Sequence, residues 1–111
     1  MIISFKSKKL QKICSKHKAA LKELGQNRGK KLMQRMLELN AAIALSDISH
    51  LPPARLHELT GNRKGQFSVD LEYPYRLLFI PNDETIPIKK DGGLDKANIH
   101  KIKVIEIEDT H

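Results

Sequence analysis

Apolar residues at the start of the chain recur at helical spacing. Leu10, Ile13, Cys14, Leu21 and Leu24 include spacings of three, four and seven, with Ser7 placed to cap the N-terminus and Gly25 to stop the run. This predicts one helix. A second is expected from near Asn27, where Leu32, Met33, Met36, Leu37, Ile43 and Ala44 share a stripe that fades at Ser46-Asp47. The two should pack as a hairpin. Leu51-Pro52-Pro53 then ends the helical pattern, because proline lacks an N–H and restricts the residue before it. From there to Gly61 the chain reads as loop or a short extended segment.

Beyond this point the period changes to two. In Gln66-Phe67-Ser68-Val69-Asp70-Leu71 apolar and polar side chains alternate, as in a strand with one wet face. Tyr73-Pro74 reads as a turn. Leu77-Leu78-Phe79-Ile80 is apolar throughout, which predicts a central strand covered on both faces, closed by Pro81 and antiparallel to the strand before it. The polar stretch from Asn82 to Asn98 holds the turn signal Asp91-Gly92-Gly93 and reads as a long excursion or open hairpin. A last strand follows in Ile102-Lys103-Val104-Ile105-Glu106-Ile107-Glu108, and Ile2-Ile3-Ser4-Phe5 suits an edge strand. The expected fold class is α+β, an N-terminal helical hairpin packed on a small antiparallel sheet with a C-terminal strand.

Length adds that residues 1–111 fit one domain. Charge adds a class of partner. With 20 Lys and Arg against 13 Asp and Glu, the formal charge is +7, and the first third, from Lys6 to Arg35, holds eleven of the cations against Glu23 alone. Such a face favours polyanions, nucleic acid first, with salt-dependent affinity. No apolar run reaches the roughly 18 residues of a membrane span, and the start lacks the apolar region of a signal peptide, so a cytoplasmic location is expected. The single cysteine, Cys14, falls on the apolar stripe and suits a core position in a reducing compartment.

Generic chemical motifs are missing: no phosphate-cradling glycine loop, no closely spaced histidine pair, no nucleophile elbow. What remains are His17, His50, His57, His100 and His111, the cluster Asn62-Arg63-Lys64, Arg76 at the start of the central strand, and an acidic stretch ending in His111. Taken singly, each has an ordinary reading as a surface or boundary residue. With two tyrosines, three phenylalanines and no tryptophan, an extended stacking platform for bases is not expected.

Their order is more telling. Leu56-His57-Glu58-Leu59-Thr60-Gly61-Asn62-Arg63-Lys64-Gly65, then Tyr75-Arg76-Leu77-Leu78-Phe79, then Val104-Ile105-Glu106-Ile107-Glu108-Asp109-Thr110-His111 resembles the HigB-type plasmid-maintenance killer toxins of the RelE/ParE superfamily. The resemblance covers the C-terminal half in pattern and the whole chain in element order. It implies a RelE-like fold and a type II toxin: a ribosome-dependent, metal-independent endoribonuclease that cuts translated mRNA and needs no cofactor. The implied partners are a cognate helix-turn-helix antitoxin, the 70S ribosome and mRNA, with no membrane; a homodimer or a heterotetramer with the antitoxin is compatible.

Residue by residue, His57 matches the family histidine of the Leu-His motif, Arg76 the arginine opening the central strand, and Asp109 and His111 the terminal acid and histidine. Thr110 departs from the tyrosine of many relatives, and Thr60 from the lysine of some. Lys8, Lys9, Lys12, Lys16, Arg63, Lys64 and Thr110 are the residues expected to meet RNA or ribosome. Attack of a ribose 2′-hydroxyl on the adjacent phosphate calls for a base, a cation at the phosphoryl oxygens and an acid. His57 and His111 are expected to share the proton transfers, Arg76 to hold the phosphate and Asp109 to orient a histidine. Alternative readings are a ParE-like gyrase poison, a catalytically degenerate co-repressor bound to an antitoxin, and an unrelated basic nucleic-acid-binding domain. A tag fused after His111 is expected to weaken toxicity, read as recovery of growth on induced expression, because it removes the terminal carboxylate and crowds the site.

Overall fold

The alternation in Phe67–Asp70 and the apolar run after Arg76 place two strands side by side, and the computed structural model, which describes residues 1–109, builds the sheet outward from them. Thr110 and His111 lie outside the described residues. The sheet has five strands: β1 (Ile2–Phe5), β2 (His57–Glu58), β3 (Phe67–Asp70), β4 (Tyr75–Pro81) and β5 (Lys101–Asp109), in the order β1-β5-β4-β3-β2. Helices α1 (Lys8–Ser15), α2 (His17–Leu24) and α3 (Gln26–Ala41) cover one face. The fold is α+β, and no helix among the described residues is long and apolar enough to cross a membrane.

Four expectations are corrected. The sheet is mixed rather than antiparallel, because β1 pairs parallel to β5, with Ile3 beside Ile102 and Phe5 beside Val104. The expected first helix is two. Ser7 does cap α1 through a 3.1 Å bond from the Leu10 amide, but Lys16 is extended (φ −121°, ψ 119°) and α2 starts afresh. A continuous helix would put exposed His17 on the apolar stripe. The break instead lets Ala20 bury fully where α2 meets α3. A side chain at Gly29 would come within 3.1 Å of the Ala20 carbonyl, so glycine is what allows this approach. Helix α3 ends at Ala41, leaving Leu37 (64% exposed) and Ile43 (76%) outside the core, while Leu39 is buried. Finally, Ser68 in β3 is buried, so that strand has no wet face there.

The core lies between helices and sheet. Leu32, Met36 and Leu39 of α3 meet Phe67, Val69, Leu77 and Phe79, and the two phenylalanine rings stack at 6.0 Å. β4 is central and covered on both faces as expected, with Leu77, Leu78 and Phe79 all fully buried. Cys14 is buried, and burial pushes its thiol up to about 12, so it is a packing residue held protonated.

Two arginines of the basic third also turn inward. The Arg28 guanidinium stacks 3.4 Å from the centre of the Tyr75 ring. Arg35 is 4% exposed; its Nε donates to the Asp70 carbonyl at 2.9 Å and its Nη1 to both Glu38 oxygens at 2.8 and 2.7 Å. This ties α3 to the end of β3. Replacing Arg35 with alanine leaves the Asp70 carbonyl and one face of Glu38 without a donor and opens a void. The expected loss is about 2–4 kcal/mol in urea unfolding, against less than about 1 kcal/mol for Glu38→Gln, whose side chain is partly solvated.

Candidate active site

Pairing register decides which side chains share a surface. On the sheet face turned away from the helices, His57 stands beside Ser68, and Asp70 beside Arg76 beside Glu108. An irregularity in β5 makes the last pairing possible. Leu78 faces Glu106 but Phe79 faces Val104, so Ile105 is an extra residue, a β-bulge. Strict alternation from Ile102 and Val104 would turn Glu106 and Glu108 toward the core. The bulge turns them outward and sends Ile107 inward beside Leu77.

The segment before β2 supplies the rest. Arg55 adopts φ 47°, a left-handed conformation uncommon for a residue with a side chain, so it is a point of local strain. The turn is closed by bonds from Arg55 N to Leu51 O (3.0 Å) and from Leu56 N to Ser49 O (2.9 Å). It buries Leu56 and leaves Arg55 and His57 exposed on either side. Arg55 Nε donates to Asp70 Oδ2 at 2.6 Å, while Arg76 Nε lies 3.7 Å from Asp70 Oδ1.

His50, Arg55, Leu56, His57 and Arg76 line an open groove of about 400 Å³. A second of about 230 Å³ shares Arg55 and Arg76 and continues past Asp70 to Tyr73 and Tyr75. Two imidazoles and two guanidiniums therefore line the first groove, and an exposed tyrosine ring, Tyr73 (77% exposed), lines the second, which shares the guanidiniums. Imidazoles transfer protons near neutral pH, and guanidiniums bind phosphoryl oxygens through a planar fork. The arrangement suits proton transfer beside a bound anion.

Of the expected site residues, His57 and Arg76 come together. Asp109 stands on β5 opposite Tyr75, one step out of phase with Glu108, so the pleat directs it to the side away from the His57–Arg76 surface. His111 and Thr110 lie outside the described residues. Arg63 is engaged by carboxylates: Nη1 and Nη2 donate to Glu108 at 2.9 and 2.6 Å, and Glu106 lies 3.9 Å away. Neighbouring Lys64 is exposed. Lys8, Lys9, Lys12 and Lys16 are exposed and line a separate groove in the helical layer. Sequence reasoning gave His50 only the ordinary reading of a surface residue and did not single out Arg55 or Asp70. Only the proline pair between His50 and Arg55, which forces a turn, hinted that the two side chains converge.

Comparison with models of known protein families finds no match, and comparison with curated proteins finds none either.

The Arg63 guanidinium holds the Glu108 carboxyl below the usual carboxylate range, its side-chain hydrogen bonds outweighing the cost of partial burial. A carboxyl lowered in the folded state stabilises above its unfolded value and loses that contribution as pH falls through the folded one. Wild type should therefore exceed Glu108→Gln in melting temperature at neutral pH. The gap should close as pH drops below the ordinary glutamate range, measured by thermal melts across an acid series.

Proposed function

We propose that the chain is a HigB-type toxin, an endoribonuclease that acts on mRNA at the ribosome. The observation that carries this reading is the groove in which His50 and His57 face Arg55 and Arg76, joined to a surface bearing Tyr73. One imidazole removes the proton of a ribose 2′-hydroxyl, whose oxygen bonds to the adjacent phosphorus. The bond from phosphorus to the 5′-oxygen breaks, and a second imidazole returns a proton to that oxygen. The products are a 2′,3′-cyclic phosphate and a 5′-hydroxyl. Arg76, with Arg55 behind it, neutralises the charge that gathers on the phosphoryl oxygens. Asp70 keeps the two guanidiniums from splaying apart.

His57 is common to the sequence pattern and to the groove. The second imidazole is His111 by resemblance and His50 by geometry. Tyr73 supplies an aromatic face for a base, which suits a chain with threonine where many relatives have tyrosine.

Induced expression in bacteria with 5′-end mapping of mRNA tests the reading. Wild type should arrest growth with cuts confined to translated messages. His57→Ala and Arg76→Ala, checked for folding by circular dichroism, should each lower cleavage by about 10²–10⁴-fold, the usual worth of one positioned proton-transfer or oxyanion group. Whichever of His50→Ala and His111→Ala matches them marks the second imidazole. Unchanged cleavage in His57→Ala and Arg76→Ala would sink the assignment. Arrest with gyrase inhibition and no cuts would favour the ParE-like reading, and no arrest the co-repressor.

A further inference from the structure

On the sheet face turned away from the helices, one row runs His57, Ser68, Leu78, Glu106 across β2, β3, β4 and β5. The helices cover none of it, yet Ser68 and Leu78 are sealed from solvent, at 1% and 0% exposure. Their cover is the connection between β2 and β3. Arg63, carried there, reaches Glu108 and Glu106 on β5, and the way from that connection to β5 passes over β4. Gln66 steadies the guanidinium from the hairpin side, its Oε1 accepting from Nε at 3.3 Å.

This cover is lightly held. Among the described residues, the backbone bonds of residues 60–65 close within the segment or on Gln66: Arg63 N to Thr60 O at 3.3 Å, Lys64 N to Gly61 O at 3.2 Å and Gln66 N to Arg63 O at 3.0 Å. Gly61 and Gly65 bracket it at φ 66° and 92°, a region that glycine enters without strain. Beneath it the Ser68 hydroxyl is buried with no hydrogen-bond partner among the described residues, a cost relieved once water reaches it. The tie to the far side of the sheet is the ion pair of Arg63 with Glu108, whose side chains are 35% and 24% exposed.

We propose that residues 60–65 form a lid, latched shut by Arg63 on Glu108 and opened when the phosphates of an RNA strand take the guanidinium from the carboxylates. Carboxylate and phosphate each offer two oxygens to the same planar fork, so they compete for one cation. The latch is thus an autoinhibitory contact. Closed, Glu106 and Glu108 occupy Arg63 and repel a second anion. Open, Arg63 and the exposed Lys64 are freed for the strand, and Ser68 is uncovered beside His57. RNA as the opener rests on the ribonuclease reading, whereas the latch itself does not.

Two measurements on the full chain test it. Ser68→Cys places a thiol under the lid, and its reaction with an aromatic disulfide reagent in RNA-free protein reports opening, with buried Cys14 of the unaltered chain as the baseline. Adding Glu106→Gln/Glu108→Gln should speed that reaction by about tenfold. If Ser68→Cys does not fold, hydrogen exchange at the Arg63, Lys64 and Gln66 amides makes the same comparison. The second measurement is anisotropy of a labelled 2′-O-methyl RNA, which has no 2′-hydroxyl to react. Glu106→Gln/Glu108→Gln should tighten its binding by about threefold or more. The gain should vanish in an Arg63→Gln background and be absent from Glu84→Gln/Asp91→Asn, an equal charge change at exposed positions. The proposal is overturned if opening is no faster without the two carboxylates, if RNA binding is unchanged or weaker, or if the control pair or the Arg63→Gln background shows the same gain. Faster opening and tighter RNA binding in a protein that cuts no message would support the lid and sink the ribonuclease reading, so the two failures are distinct.

Discussion

Three arginines converge on Asp70, and the rest of the molecule is organised around that convergence. From the core side, Arg35 of α3 bonds the Asp70 carbonyl; from the solvent side, Arg55 and Arg76 meet its carboxylate. The Asp70 amide donates to Ala54 O at 2.7 Å, so the turn that presents Arg55 and His57 is fastened to the same residue. A single position at the end of β3 thus couples the packing of the longest helix to the placement of the exposed cations. The strained backbone at Arg55 persists because Asp70 fixes the residue on both its side-chain and main-chain flanks.

The cations divide by chemistry. Arginines do the structural tying: Arg35 in the core, Arg28 on Tyr75, Arg63 on Glu108. Their planar guanidiniums satisfy several acceptors at once, or lie flat on a ring, where an ammonium cannot. Lysines take the solvent around α1 and α2. A net charge of +7 therefore overstates the charge a partner meets near the sheet and understates its concentration on the helical layer.

Sequence pattern located the elements well where burial on one face is enforced. Ser7, Gly25, the proline pair and the unbroken run Leu77 to Ile80 each marked what the structure contains there. The failures share a cause: they depend on contacts between segments far apart in the chain. Arg35 looked like one more solvated cation because its acceptor lies 35 residues away. Lys16 breaks a helix whose apolar spacing continues across it, since the break serves the fit of Ala20 against Gly29. The parallel pairing of β1 leaves no local trace. The bulge at Ile105 is different, for its mark is in the sequence: the alternation of Ile102-Lys103-Val104 slips by one before Ile105-Glu106-Ile107-Glu108. The candidate site was legible only in part, with His57 and Arg76 found from their motif order and His50, Arg55 and Asp70 brought to them by a turn that no periodicity describes.

The insertion of β5 between β1 and β4 also governs the order of assembly. β1 precedes the other described strands in the chain, yet its neighbour in the sheet among the described residues is β5, the most C-terminal of them. On the ribosome, β4 has one flank unpaired and β1 has no partner until Lys101–Asp109 has cleared the exit tunnel. Such long-range pairing is slow to form, because loop-closure entropy is lost before the contacts repay it. Whatever activity requires the completed sheet is thereby withheld from the nascent chain, and arises only once translation of this strand is done.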